Sequence, residues 1–348
     1  MSLLKNIWYM AGWEHEISGD QMAARIIADV PVVMFRGADG VPCAMLDRCA
    51  HRLAPLSKGQ LCKGRVKCGY HGLIYDERGI CVENPHGPIV AGLRVPTYPL
   101  VERYGMLWLW LGNRDAADTK TIPDFSVIRR TPQTAYYQDY LCVEANHQLL
   151  VDNILDLSHI DYLHPTLLGS GSMQKTKPRV EVNGDRVFVQ WLAKNDRAIP
   201  LFAAELPDPE MAADAFFEVD WYPGGAMQLS AGASPAGTPR EAGPIALTAH
   251  IMTPLSDSKT HYFWCMWRNY QQDSAEYNQL SAAGLRNAFG NEDRPMIEAQ
   301  QTRVADAQTM ANEATLLAID AAPNAARRIY QRLLAAERTA PARVVMVS

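Results

Sequence analysis

Four residues in the first third of the chain have types and spacing suited to metal chemistry. Cys49-Ala50-His51 and Cys68-Gly69-Tyr70-His71 form two short clamps, each pairing one thiol with one imidazole, with sixteen residues between them. Two thiolates and two imidazoles complete either a tetrahedral zinc site or a [2Fe–2S] cluster with both cysteines on one iron and both histidines on the other. Common zinc patterns group Cys with Cys and His with His, so mixed clamps favour the cluster. Gly69 and Gly72 bracket the second clamp, where backbone amides must approach sulfur. Cys43, Cys62, Cys81, Cys142 and Cys265 have no partner at ligand spacing and read as ordinary thiols. Seven cysteines at irregular intervals do not resemble a secreted disulfide framework.

A second constellation lies in DLSHIDYLHP, residues 156 to 165. Side chains five apart on a regular helix diverge by about 140°, so His159 and His164 share no face of an ideal helix. Pro165 disfavours helical geometry at His164, and a helix that loosens there into a widened turn or π-bulge would let the two rings converge. Two histidines and one carboxylate on one face commonly hold a mononuclear iron that activates O₂. On spacing alone a chance pair stays open. Asp156 lies three residues before His159 on nearly the same helix face, as a partner for a metal-bound ring N–H or as a surface acid. His250, in LTAHIMTP, either touches substrate or is satisfied within its strand. His15, His86, His147 and His261 carry no assigned role.

These residues need scaffolds. From about 20 to 112 the chain alternates short β-like runs with turn signals (RIIADV, PVVMFRGADG, VPCAMLD, LIYDERGICV, YGMLWLWLGN), which predicts a small all-β unit holding both clamps. The polar stretch GNRDAADTKTIPD suits a linker, and the domains are expected at 1–118 and 119–348. Beyond it come a helical stretch at 144 to 163, five β-like runs, and helices from about 273 onward, including an amphipathic NAARRIYQRLLAAER. That is an α+β domain.

At 348 residues, with 48% hydrophobic side chains and 33 basic against 38 acidic residues, the chain has ample core and no basic excess for nucleic acid. The start, MSLLKNIWYMAGWEHEI, is too interrupted by charge for a signal peptide or membrane span, so a cytoplasmic location without membrane attachment is expected. No G-x-G-x-x-G dinucleotide motif occurs, so electrons for a redox reaction would need a separate reductase.

The segments CAHR-x-APLS, CGYHGL-x-YD and NPHG resemble the Rieske domain of aromatic-ring-modifying non-haem iron oxygenases. NIWYMAGW, VERYG, LLVDNILDLSHIDYLHPTLLG, HYFWCMWRN and EDRPMIEAQ are similar to the branch of vanillate O-demethylase, dicamba O-demethylase and toluenesulfonate methyl-monooxygenase oxygenase components, over nearly the whole chain. The resemblance implies an all-β Rieske domain followed by an α+β catalytic domain of helix-grip type, with an antiparallel sheet and helices. It implies a [2Fe–2S] cluster on Cys49, His51, Cys68 and His71, and Fe(II) on His159, His164 and Asp293, with Glu292 as the alternative third ligand. Asn153 would line the site. Asp156 would bridge His71 of one subunit to an iron histidine of the next, in a homotrimer.

By the same resemblance, NADH electrons arrive through a partner reductase. O₂ then hydroxylates a methoxy or methyl substituent of an aromatic, expectedly acidic, substrate, with O-demethylation and release of formaldehyde as the leading reaction. A position related to His250 touches substrate in dicamba O-demethylase. Ring dihydroxylation and a non-catalytic electron-transfer role are the alternatives.

Overall fold

The computed structural model describes residues 3–304 and 313–339. They fall into two compact units, Leu3–Asp124 with Thr253–Ser256, and Phe125–Met252 with the chain from Asp257 onward. Among the described residues no helix is long and apolar enough to cross a membrane.

The first unit is built from eleven short strands in three sheets. β1 (Trp8–Trp13), β11 (Met106–Trp110) and β10 (Leu100–Arg103) make one. β2 (Ala23–Ile27), β3 (Val30–Arg36), β4 (Pro42–Leu46) and β9 (Thr97–Tyr98) make a second. β5 (Gln60–Cys62), β6 (Arg65–Lys67), β7 (Ile74–Tyr75) and β8 (Cys81–Glu83) make the third. Every residue of β1 and of β11 is buried, as their unbroken apolar sequences require: an alternating pattern would leave one face wet. The run RIIADV does not form one strand. Ala28 and Asp29 take positive φ (47° and 65°) and close a two-residue hairpin that sets Ile27 opposite Val30. Positive φ at both central residues is the turn whose twist matches the flanking strands.

The second unit carries a seven-stranded antiparallel sheet in the order β12-β18-β17-β16-β15-β14-β13. Its strands are β12 (Tyr136–Val143), β13 (Arg179–Asn183), β14 (Arg186–Arg197), β15 (Ala212–Tyr222), β16 (Ala226–Pro235), β17 (Ile245–Ser256) and β18 (Lys259–Arg268). Alternation places Val187, Val189, Trp191 and Ala193 of β14 in the core, while the residues between them are more exposed. That core is shared with α1 (His147–Leu155), through Leu150 and Ile154, and with the C-terminal helix. The latter spans Ala321–Thr339 and buries Ala322, Ala325, Ala326 and Ile329, the i, i+3, i+4, i+7 stripe of an amphipathic helix. Each large apolar side chain buried this way stabilises the fold by about 1.5–3 kcal/mol.

Two irregularities in the helices position the site. The helical stretch expected over 144 to 163 is not continuous. Asn146 caps α1 by accepting from the Gln148 N–H, and the helix ends at Leu155 because Asp156 leaves helical space (φ −111°, ψ 91°). Leu157–His159 then form a 3₁₀ turn, and Ile160–Leu163 (α2) a single α-turn that stops at His164 (φ −121°, ψ 48°), as Pro165 requires. The widened turn anticipated between the two histidines is therefore a tightened one, and the break sits at Asp156 as well as at Pro165.

The π-helical segment occurs elsewhere, at Ala288–Asp293, between the helix Ala275–Asn287 and the helix Arg294–Gln301. The Arg294 N–H donates to the Phe289 carbonyl, five residues back. Pro295 explains the shift. It has no N–H to donate and its ring would strike the carbonyl four residues earlier, so the helix widens just before it.

Candidate metal centres

The two clamps fold as matching loops. The Cys49 N–H donates to the Ala54 carbonyl (2.8 Å) and the Leu53 N–H returns to the Cys49 carbonyl (3.0 Å). The Cys68 N–H donates to Leu73 (2.8 Å) and the Gly72 N–H returns to Cys68 (3.0 Å). Closing each loop needs a left-handed residue at its fifth position, Leu53 (φ 60°) in one and Gly72 (φ 73°) in the other. A leucine held there is strained, a cost accepted where the loop geometry matters. Gly69 has a different function from the one its sequence position suggested. A Cβ there would lie 2.8 Å from the Lys58 carbonyl, so it permits backbone packing, while the amides that reach the Cys68 sulfur are those of Tyr70 and His71.

Both cysteines are buried, and Cys68 sulfur contacts that of Cys49. The two imidazoles stack edge-on with centroids 4.6 Å apart, His51 exposed and His71 half-buried. Burial pushes the Cys68 thiol up, against the amide hydrogen bonds that favour its thiolate. Tyr75 hydroxyl, at the end of the motif CGYHGLIY, lies 3.3 Å from Cys49 sulfur. Sulfur paired with sulfur below and ring paired with ring at the surface is the division a [2Fe–2S] cluster needs; a single tetrahedral ion would draw all four together. Among the described residues, only one group brings three ligand atoms within 4.8 Å of one another, and it is in the second unit.

That group is His159, His164 and Asp293. His159 donates from Nδ1 to the Asp156 carbonyl (2.5 Å), which leaves Nε2 free to face Asp293 Oδ1 at 3.5 Å. His164 Nε2 is 3.1 Å from the same oxygen, and the Asn153 amide donates to it at 3.0 Å. Asn153 also approaches His159 Nε2 (3.4 Å), so it lines the site as expected. His164 Nδ1 meets Glu292 Oε2 at 2.6 Å. The two adjacent acids are thereby distinguished: Asp293 is turned into the cluster of donors, and Glu292 holds the far side of the His164 ring, itself steadied by the Asn287 amide (2.9 Å). Burial would push His164 down, but hydrogen bonds and charge from Asp293 and Glu292 outweigh it and hold its pKa above the ordinary value. Two imidazole nitrogens and one carboxylate oxygen, with His164 buried and both rings fixed from behind, suit a mononuclear iron.

The Asp156 carboxylate does not receive the His159 ring N–H; its backbone carbonyl does. Its Oδ1 accepts instead from the Ser158 N–H (3.0 Å) and hydroxyl (2.7 Å).

A cavity of about 570 Å³, open in part to solvent, adjoins the three donors. Its walls are apolar: Leu157, Phe202, Phe217, Leu229 and Phe289 are among them, with Thr248 and His250 from alternate positions of β17. His250 thus lines the cavity. Burial pushes its pKa to about 3, so it is neutral, and its Nδ1 lies 2.6 Å from the Tyr262 hydroxyl. Arg268 of β18 does not line the cavity: its guanidinium donates to Asn278 Oδ1 (2.6 Å) and to the carbonyls of Thr134 and Gln271. Sequence reasoning missed Glu292 as a histidine partner and Thr248; the adjacent acids of GNEDRP were a signal for the first, and nothing marked the second.

Comparison with known proteins agrees with this geometry. Residues 7–99 match the Rieske [2Fe–2S] domain family, and residues 143–336 match the vanillate O-demethylase oxygenase C-terminal domain family. The chain is 35% identical to a putative toluene-4-sulfonate monooxygenase system iron-sulfur subunit of Comamonas testosteroni, over 97% of this chain and 100% of the relative. It is 34% identical to the oxygenase component of dicamba O-demethylase from Stenotrophomonas maltophilia, over 96% and 98%. It is 31% identical to a vanillate O-demethylase oxygenase subunit of Pseudomonas, over 97% and 96%. A crystal structure of dicamba monooxygenase bound to 3,6-dichlorosalicylic acid superposes with a TM-score of 0.90 at 32% identity, over 97% of this chain and all of that one. The chain belongs to the family of Rieske-type oxygenase components that carry a [2Fe–2S] cluster and a mononuclear non-haem iron and work with a separate reductase.

Proposed function

We propose that the protein is the terminal oxygenase of an aromatic O-demethylase, taking O₂ and electrons passed from NADH by its reductase in the cytoplasm. The observation that carries the reading is the opening of His159, His164 and Asp293 onto an apolar cavity, in a chain that also holds the clamp loops. Cys49, His51, Cys68 and His71 would hold the cluster, and His159, His164 and Asp293 the iron. When bound, the iron supplies the O₂ activation that converts a methoxy carbon to a hemiacetal, from which formaldehyde and a phenol separate.

The chain's own residues do the positioning. Glu292 and the Asp156 carbonyl each take a ring N–H and so aim the opposite nitrogen of His164 and His159 at the metal position. Leu157, Phe217 and Phe289 exclude water and seat the ring. By this reading Asp156, whose backbone carbonyl takes the His159 ring N–H, would link His71 of a neighbouring subunit to His159 in a homotrimer, a cyclic head-to-tail assembly.

The test is turnover with a reductase against methoxy- and methyl-substituted aromatics, scoring formaldehyde and benzylic alcohols. Formaldehyde in step with NADH oxidation is expected; cis-dihydrodiols as the product would replace this reading with ring dihydroxylation.

A further inference from the structure

The first unit carries a patch of one charge sign that neither metal centre uses. From residue 48 to residue 75 the chain holds six basic side chains, Arg48, Arg52, Lys58, Lys63, Arg65 and Lys67, and no acidic one, although acids outnumber bases in the chain as a whole. All six are exposed, and none has an ion pair with another described residue. Other arginines of the same unit are paired: Arg25 with Glu16 (2.7 Å), Arg36 with Glu102 (2.6 Å) and Arg78 with Asp76 (2.9 Å). Like charges kept together without partners weaken a fold through repulsion, which points to a use outside the chain.

The hairpin of β5 and β6 aims half of the patch in one direction. Gln60 sits opposite Lys67 and Cys62 opposite Arg65, and alternation buries Val66 while Arg65 and Lys67 stand on the outer face. Lys63 and Gly64, at φ 51° and 75°, close the turn at the tip. The four strands of this sheet hold one acid, Glu83 at the far edge, and it has no ion pair with Arg65 or Lys67. β6 runs directly into Cys68, so the peptide after Lys67 joins the outer face to the buried sulfur.

On the reading just proposed, electrons leave the cluster at His71 toward a neighbouring subunit, so they must enter from another side. The hairpin leads to the thiolate side. A protein of net charge −5 repels an acidic donor everywhere except at a positive patch, which therefore fixes the place and the orientation of the encounter. We infer that the β5–β6 hairpin, through Lys63, Arg65 and Lys67, is the docking surface for the electron-donating domain of the reductase, and that this domain presents carboxylates to it.

The experiment follows bleaching of the oxidised cluster in the metal-loaded holoenzyme by stopped flow, with an acidic plant-type [2Fe–2S] ferredoxin, reduced beforehand, as the donor. For wild type the second-order rate constant is expected to fall about tenfold or more between low salt and about 0.5 M salt, as the charges are screened. In Lys63→Glu/Arg65→Glu the low-salt rate is expected to drop about tenfold or more and to meet the wild-type rate at high salt, with the cluster's potential and visible spectrum unchanged. Lys177→Glu/Arg328→Glu makes the same change of charge at two exposed cations of the second unit and should leave the rate within about twofold. A wild-type rate indifferent to salt, an unaltered rate in the hairpin variant, or an equal loss in the second-unit variant overturns the inference. So does a change of mass in the hairpin variant by light scattering, which would make the patch a contact between copies of this chain. If the hairpin variant does not fold, Lys63→Gln/Arg65→Gln is read in the same way, with a smaller loss. Bleaching precedes any event at the iron. Absence of formaldehyde, or of transfer through Asp156, with these rates as expected would sink the demethylase reading and leave the docking surface standing.

Discussion

Glu292 Oε2 stands 2.6 Å from His164 Nδ1, while the next residue in the chain, Asp293, reaches the opposite nitrogen of the same ring. Consecutive residues on a helix point about 100° apart, which is what two acids need to grip an imidazole from both sides. The π-helical segment ahead of Pro295 carries both acids and sets the direction in which each points. The carboxylate behind the ring fixes its proton on Nδ1 and leaves Nε2 as the donor to a metal.

Replacing Glu292 by Ala removes that constraint without removing a ligand. Affinity for the mononuclear iron, measured by titrating Fe(II) into metal-depleted protein, is expected to fall about 10–100-fold with the cluster's visible spectrum unchanged. Glu292→Gln, which still accepts a hydrogen bond through its amide oxygen, should lose less. Undiminished affinity in both variants would show that the ring is held by packing alone.

Tyr75 acts on the other centre. A hydroxyl 3.3 Å from Cys49 sulfur stabilises the more negative, reduced cluster. Tyr75→Phe is expected to lower the reduction potential by about 20–60 mV, the equivalent of one hydrogen bond for a one-electron couple. A redox titration followed in the visible region reads it, and an unchanged potential would mean the contact does not persist in the loaded protein.

The fold and the site were legible to different depths. The clamps could be read because their loops are local: two ligands within four residues and a turn that a glycine or a strained leucine closes. His164 as a helix stop was legible from Pro165 alone. The break at Asp156 was not, because nothing in LLVDNILDLSH opposes a continuing helix; the chain gives it up to aim the Asp156 carbonyl at the His159 ring. The helix widening lies at Ala288–Asp293 and not at His164 for a related reason. Pro165 ends its helix, whereas Pro295 sits inside one that continues, and only the latter forces a π-turn. Asp293 could not have been distinguished from Glu292 by spacing, since their difference lies in which nitrogen of a residue about 130 positions away each one meets. The hairpin at Ala28 and Asp29 escaped notice because alanine gives no turn signal.

His147 supplies a pH prediction. It is buried with neither ring nitrogen hydrogen-bonded, and burial, then the charge of Arg327, push its pKa to about 3. The unfolded chain takes up this proton near pH 6.5 and the folded one does not, so the group's contribution to stability is present above about 6.5 and lost as pH falls toward 3. Its share is up to about 1.4 kcal/mol per pH unit. Urea denaturation across this range should show a shallower acid decline for His147→Phe than for wild type; identical slopes would mean the imidazole finds a proton-sharing partner.

Asp156→Ala tests transfer between subunits. Both metals should remain bound while NADH-coupled turnover falls by about 10–100-fold or more. Normal turnover would remove Asp156 from the path. Light scattering supplies the complementary test, since a fully active monomer is incompatible with a bridge from one chain to the next.

The central claim is that two separate metal centres occupy the residues named. Iron analysis of Asp293→Ala, together with its visible and electron paramagnetic resonance spectra, tests it most directly. The account predicts that the variant keeps the cluster's iron pair and its spectrum and loses the one further iron found in wild type, along with turnover. A variant that retains that iron, or one whose cluster is lost with it, would contradict the assignment.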